Sequence, residues 1–267
     1  MITSPSMTNA RRSFPTARAI LALILREMGT QYGTSPGGYL WAVLEPVLAL
    51  VLMSAMFAMF FDRPPLGTNF ALFYASGYLP FMMYAGISGK IGTAIRYSKP
   101  LLAYPGVTFV DAMLARFLLN ALTELVVFVL LIQGIILAFG LHENLDHPRI
   151  LLAMAMAFSL AAGVGTLNCY LCSSFPVWER IWSILNRPLF MMSGVFFLFD
   201  GVPASFRDLL WFNPLVHVID EMRAGIYATH DARFTSPLYV FAVAIVTLFL
   251  GMLLLRRHHR SILNEGA

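Results

Sequence analysis

From residue 150 to residue 178 the chain contains no Asp, Glu, Lys or Arg, and the same holds from 64 to 89, from 125 to 142 and from 234 to 255. A helix needs about 20 apolar residues to cross the roughly 30 Å hydrocarbon layer of a bilayer. Water is absent there, so such runs must satisfy their own backbone hydrogen bonds as helices. Charged residues make up 12% of the chain and mean hydropathy is +0.72, against about 25% charged in a soluble domain. A soluble enzyme is excluded on that balance, and the chain reads as an all-α polytopic membrane protein.

Six spans are expected, at residues 38–61, 70–89, 116–139, 150–175, 181–199 and 237–255, with Arg187 and Pro188 interrupting the fifth. Positive charge marks the cytoplasmic side of short loops. With the N-terminus inside, Arg11, Arg12, Arg18, Arg26, Lys90, Arg96, Lys99, Arg180, Arg256, Arg257 and Arg260 are cytoplasmic. Arg63, Arg149, Arg207, Arg223 and Arg233 face the other side, and Arg116 and Arg187 lie in or at the edges of spans. Both termini are then cytoplasmic.

The segment RRSFPTARAILALIL resembles a twin-arginine signal, but its apolar stretch ends at Arg26 and Glu27 and no small-residue cleavage site follows. Ile20, Leu21, Ile24 and Met28 share one helical face, with Arg18, Ala22 and Arg26 on another, the pattern of a helix lying in the membrane interface. YGTSPGGYLWAVLEP follows, where Gly33, Pro36, Gly37 and Gly38 end that helix and turn the chain inward. Trp41 sits near the boundary as an aromatic anchor. Glu45 comes about 6 Å of helix rise beyond Trp41.

Catalytic and metal motifs fail on spacing. AGISGKIG has Tyr84 where a phosphate-binding loop needs glycine, and Cys169 and Cys172 form a CxxC inside an apolar span with no second pair. His258 and His259 belong to a basic tail, His142 and His147 flank acidic residues in a loop, and no Ser-His-acid arrangement or metal site is expected. Nothing points to nucleic acid. The ionisable residues Glu45, Glu124, Arg116 and Arg187 must face protein or water, because unpaired charge in lipid costs several kcal/mol. Tyr74, Tyr78 and Phe81 share a face of the second span, with Tyr84 beyond. Such rings serve either as an interfacial belt or as a stacking path for sugar. In LWFNPLVHVIDEMRAGI, Pro203 opens a short helix stopping at Asn213 and Pro214 opens a second, whose stripe of Leu215, Ile219, Met222 and Ile226 leaves His217, Asp220, Glu221 and Arg223 pointing elsewhere. Two short helices dipping into the outer leaflet would cap a cavity.

The entry segment LREMGTQYGTSPGGYLWAVLEP and the NP of LWFNPLVHVIDEMRAGI, followed by acidic residues and Arg223, resemble ABC-2 type transport permeases, and within them the capsular polysaccharide exporters of the KpsM group. The resemblance implies a homodimeric pore in a bacterial inner membrane, docked to two copies of a separate ATPase that holds the ATP and Mg, with no cofactor in this chain. It also implies a lipid-linked acidic polysaccharide as cargo and a periplasmic or outer-membrane export partner. Residues 1–37 would form the cytoplasmic tail and interfacial helix. Residues 38–267 would form the six-span domain, with a coupling segment at 96–106, external gate helices at 201–230 and a cytoplasmic tail at 256–267.

The ATPase contact would comprise Arg26, Glu27, Arg96, Tyr97, Lys99, Pro100, Leu101 and Leu102. The cargo path would comprise Tyr32, Trp41, Glu45, Tyr74, Tyr78, Phe81, Tyr84, Arg116 and Arg187, and the gate Phe206, Trp211, Asn213, Pro214, His217, Glu221 and Arg223. Alternatives are an ABC-2 permease for O-antigen, teichoic acid or a drug, and an intramembrane enzyme acting on lipid-linked sugar through Glu45 and Glu124.

Overall fold

The computed structural model describes residues 15–32, 38, 40–102 and 107–264, and every regular element among them is helical. In chain order these are α1 (Pro15–Tyr32), α2 (Leu40–Phe60), α3 (Phe70–Gly92), α4 (Ala94–Leu102), α5 (Phe109–Phe139), α6 (His147–Ser174), α7 (Trp178–Met191), α8 (Ala204–Trp211), α9 (Pro214–Ile226) and α10 (Pro237–Asn264). Five are long and apolar enough to cross a membrane: α2, α3 continued through α4, α5, α6 and α10. Gly33, Pro36 and Gly37, expected to make the turn into the first span, lie outside the described residues, as do positions 103–106 of the expected coupling segment.

Local chemistry sets the boundaries. Asn69 accepts from the backbone N–H groups of Ala71 and Leu72 to open α3, and Thr108 with Asp111 forms a reciprocal capping box that opens α5. Asp146 caps α6, with Pro148 in its first turn, and Asn213 caps α9 immediately before Pro214. α3 and α6 form the centre of the bundle, while α2 buries only Leu50 and α7 buries no residue.

α6 and α10 approach closely, with Gly163 against the Ala244 carbonyl and Gly251 against the backbone of Thr166 and Leu167. A Cβ at Gly251 would lie 2.6 Å from the Leu167 nitrogen, so the two backbones meet where small residues permit it. Residue numbers rise together along this contact, so α6 and α10 run in the same direction. The chain between Phe175 and Pro237 must therefore return the length of the bundle.

α7 begins that return. Trp178 donates from Nε1 to Asn168 Oδ1 near the end of α6, and Glu179 pairs with Arg96 of α4. The fifth helix expected over 181–199 instead runs from Trp178 to Met191, about 21 Å at 1.5 Å per residue. Pro188 removes an N–H donor from its last turn. Gly194 then takes φ +87°, which a right-handed helix cannot contain. Residues 192–198 continue as turns to a 3-10 helix at Phe199–Gly201, at the end where α3, α6 and α10 begin and where α9 sits.

Filling the α6–α10 contact should be costly. Gly251→Val is expected to destabilise by about 1–3 kcal/mol through overpacking, read as a lower thermal midpoint in detergent. Gly134→Ala on α5, where a new Cβ meets nothing within 4 Å, should leave the midpoint unchanged.

Candidate functional site

At the α9 end, polar groups are gathered around the broken fifth segment. Arg223 is 1% exposed. It donates from Nη1 to the Phe197 carbonyl (2.7 Å) and from Nη2 to the Val195 carbonyl (2.9 Å), and its guanidinium lies 4.5 Å from the centre of the Phe73 ring. Asn213 donates from Nδ2 to the Met192 carbonyl at 3.2 Å while its Oδ1 caps α9. Carbonyls freed by the end of α7 thus find donors on the loop and helix that follow, as backbone away from water requires.

The same cap holds the other predicted gate residues. Trp211 stacks on Tyr239 at 5.1 Å and meets His217 edge-on at 5.2 Å. The His217 Nε2 lies 2.8 Å from the Trp211 carbonyl, and the Ser236 N–H donates to Nδ1. That pattern fixes a neutral imidazole with its proton on Nε2, and burial holds its pKa below the ordinary value. Asp220 accepts from Thr235 and sits 2.7 Å from His230 Nε2. The stripe of Leu215, Ile219, Met222 and Ile226 is buried as expected, but so are His217, Asp220, Glu221 and Arg223. α9 is enclosed on all sides, and His217, Asp220 and Arg223 find their partners within the protein. Burial raises the Glu221 carboxyl, against the pull of Arg149. Phe206 stays 61% exposed on α8, apart from this cluster.

Along α3 the expected aromatic face forms a continuous column. Tyr74 stacks on Tyr78 at 5.3 Å, and Phe81 meets Tyr84 edge-on. Phe190, from the last turn of α7, contacts both Tyr78 (6.3 Å) and Phe81 (4.8 Å), while Phe196 from the break contacts Tyr74 and Phe57 of α2. All four α3 rings are buried, so they join α2, α3 and α7 and present little surface in one copy of the chain. Glu45 on α2 and Glu124 on α5 both act electrostatically on Tyr78 and on each other. Glu45 is exposed on α2, as is Arg187 on α7. Trp41 is 49% exposed, and the Tyr32 side chain lies outside the described residues.

At the opposite end, the α1 end, two ion pairs join elements far apart in sequence. Arg116 of α5 is 4% exposed. Its Nη2 lies 2.9 and 3.2 Å from the two carboxylate oxygens of Glu27 on α1, and Nη1 donates to the Lys90 carbonyl and Thr93 Oγ1. Tyr97 covers the guanidinium at 4.7 Å. Arg116, expected to attract an anionic polymer, is thus engaged with Glu27, expected at an ATPase contact. Arg96 pairs with Glu179 at 2.7 Å, and both side chains are about half exposed. Lys99, Leu101 and Leu102 are partly buried, while Arg26, Tyr97 and Pro100 are exposed. Leu21 and Leu25 of α1 are exposed, and Leu23 is its buried contact.

Sequence reasoning missed Glu179, Asn168, Phe190 and Phe196 as partners. Only Glu179 carried a signal, an acid in the first turn of a helix. No group of three or more metal-ligating side chains occurs among the described residues.

Among the described residues every regular element is helical and five helices are long and apolar enough to cross a membrane, the architecture of a multi-pass membrane protein. Residues 18–227 match the ABC-2 type transporter family, and the chain belongs to it. Among its relatives, the Escherichia coli "Polysialic acid transport protein KpsM" is 29% identical over 96% of this chain and 100% of its own length. The Neisseria meningitidis "Capsule polysaccharide export inner-membrane protein CtrC" is 26% identical over 92% of each chain. The Haemophilus influenzae "Capsule polysaccharide export inner-membrane protein BexB" is similarly related, 26% identical over 92% of each chain.

Arg223→Ala should remove the donors for two buried carbonyls, a loss of about 2–6 kcal/mol at roughly 1–3 kcal/mol per unpaired group. The expected result is a sharp fall in the monodisperse fraction recovered in detergent. Arg223→Lys, which cannot fork to both acceptors, should fall between that variant and the native chain.

Proposed function

We propose that the chain is the membrane subunit of an ATP-driven exporter of capsular polysaccharide, and that two copies form the path with two separate ATPase subunits. The observation that carries this reading is the placement of exposed charge on α2 and α7. Glu45 and Arg187 are exposed on helices with almost no buried residues. A charge against hydrocarbon is costly, so this face meets a second copy and the aqueous space between copies rather than lipid. Behind it stand Tyr74, Tyr78 and Phe81, rings suited to weak stacking against sugar as α2 and α7 separate.

The finer organisation follows from the return of the chain between α6 and α10. Residues 178–199 make the fifth crossing, which brings the total to six, as a helix followed by an irregular segment, and α8 and α9 cap it on the external side. Positive charge on Arg26, Lys90, Arg96, Lys99 and Arg180 sets the α1 end and both termini in the cytoplasm. There α1 and α4 receive the ATPase, which supplies the nucleotide and Mg. The lipid-linked acidic glycan enters beside Glu45 and leaves past α9 to a periplasmic or outer-membrane partner. The full lengths of the capsule-export relatives support this cargo.

The test uses the chain expressed with its ATPase in capsule-producing cells. With Cys169 and Cys172 replaced by serine, Leu48→Cys, on the exposed face of α2, should cross-link to a second copy under oxidation. Tyr78→Ala with Phe81→Ala should lower surface capsule several-fold at equal membrane abundance. Monomeric chain in an active complex, or normal capsule from the double variant, would refute the respective part.

The coupling arm has its own outcome. Arg96→Glu should weaken ATPase-driven export, and Arg96→Glu with Glu179→Arg should restore part of it, measured as capsule per unit of membrane protein.

A further inference from the structure

Between α1, the end of α3, the start of α4 and α5 lies a cavity of about 360 Å³ with a polar lining. Three cations reach it, Arg26, Lys90 and Arg116, against one carboxylate, Glu27. Glu27 is engaged by Arg116 at 2.9 Å, so its charge is already matched. Lys90 makes no ion pair among the described residues, although it is drawn to Glu27 and Glu45 as well as repelled by Arg116. Arg116 has 5% of its side chain exposed, and its Nε has no acceptor among the described residues although both terminal nitrogens are engaged. Tyr97 closes one side over the guanidinium. An excess of positive charge around a polar hollow attracts an anion, and phosphate oxygens make short charge-assisted bonds to Lys and Arg.

We infer that this cavity binds the phosphate headgroup of an anionic phospholipid resident in the membrane. The position favours a lipid over a dissolved anion, because the cavity lies beside Lys90, where the uncharged run of residues 64–89 ends, and on α1, whose Leu21 and Leu25 are exposed apolar side chains. Lys90 and Arg26 supply the free charges, and Arg116 supplies a fixed one held by Glu27. A bound headgroup bridges α1 to the α3–α4 junction, so the site makes the packing of the coupling elements depend on the lipid. Placing this lipid in the cytoplasmic leaflet rests on the proposed orientation; binding itself does not.

The purified full-length chain is exchanged into detergent, incubated with cardiolipin, phosphatidylglycerol or phosphatidylcholine, and examined by native mass spectrometry. The expected result is retention of the two anionic lipids and not of phosphatidylcholine, with several-fold less retained by Lys90→Gln and by Arg26→Gln. Lys90→Arg should recover the native level, a rescue that a merely structural role for Lys90 would not require. Elution volume and thermal midpoint verify that each variant is folded, and the Arg116–Glu27 pair is left intact in all of them.

Equal retention of anionic lipid by Lys90→Gln and the native chain would overturn the proposal. So would displacement of the lipid by millimolar inorganic phosphate at no lower potency than by added cardiolipin, which assigns the cavity to a dissolved anion. Labelling that placed the N-terminus outside would sink the orientation alone and leave the binding result standing.

Discussion

Backbone that leaves the helix inside an apolar layer is stable only where its carbonyls find donors, and after α7 they find them mainly in one side chain. Arg223 answers Phe197 and Val195, and Asn213 answers Met192. An arginine can be buried to 1% exposure only if its own charge is well accommodated. Two carbonyl dipoles and the face of Phe73 provide that, with Gly77 leaving space: a Cβ there would lie 3.2 Å from Nη2. The requirement spreads outward. To bring Arg223 to the break, α9 must lie within the bundle, and its remaining polar groups must pair there too, as Asp220 does with His230 and Thr235.

Much of this was legible in the sequence, because the relevant forces are local. Uncharged runs give the long helices and Asn213-Pro214 opens α9 where expected, whereas the caps at Thr108 and Asp146 start α5 and α6 ahead of the spans expected from 116 and 150. The aromatic face of α3 is a matter of helical spacing and was readable; its partners Phe190 and Phe196 were not, since they lie more than a hundred residues away. The same holds for Glu27 with Arg116 and for Arg96 with Glu179, each pair separated by over eighty positions. One expectation failed for a physical reason. Hydropathy could not show that the fifth helix stops at Met191, because the residues after it are as apolar as those before. The stripe of α9 was readable, but periodicity alone does not name the protein groups that its polar side meets.

Hydrophobic contact does not favour helix association within lipid as it does in water, so close backbone approach and polar contacts carry more of the specificity. The bundle uses them in separate places. α6 and α10 meet through small residues along their length, where Gly163 and Gly251 let backbone touch backbone. α1 and α5 are joined by the Glu27–Arg116 pair, and α4 and α7 by Arg96–Glu179. What remains thinly attached is α2 and α7, the helices that carry exposed Glu45 and Arg187. In the proposed exporter these are the helices that must move relative to a second copy.

The magnitudes at the two ends of α7 determine how it can move. Its first turn is tied to α4 by an ion pair with both partners about half exposed, a contact worth about 0–1 kcal/mol and weakened by salt. Its far end is fixed by an exposed carbonyl bond to Asn213 and by two to a fully enclosed Arg223, of which the one to Val195 is buried, where an unpaired group would cost roughly 1–3 kcal/mol. In the proposed exporter, a load applied at α4 would therefore break the near contact before the far one. α7 would then swing about its α9 end rather than slide along its axis, carrying Phe190 across Tyr78 and Phe81. Opening would begin at the α1 end while α8 and α9 still covered the other, an order that admits cargo without a continuous pore.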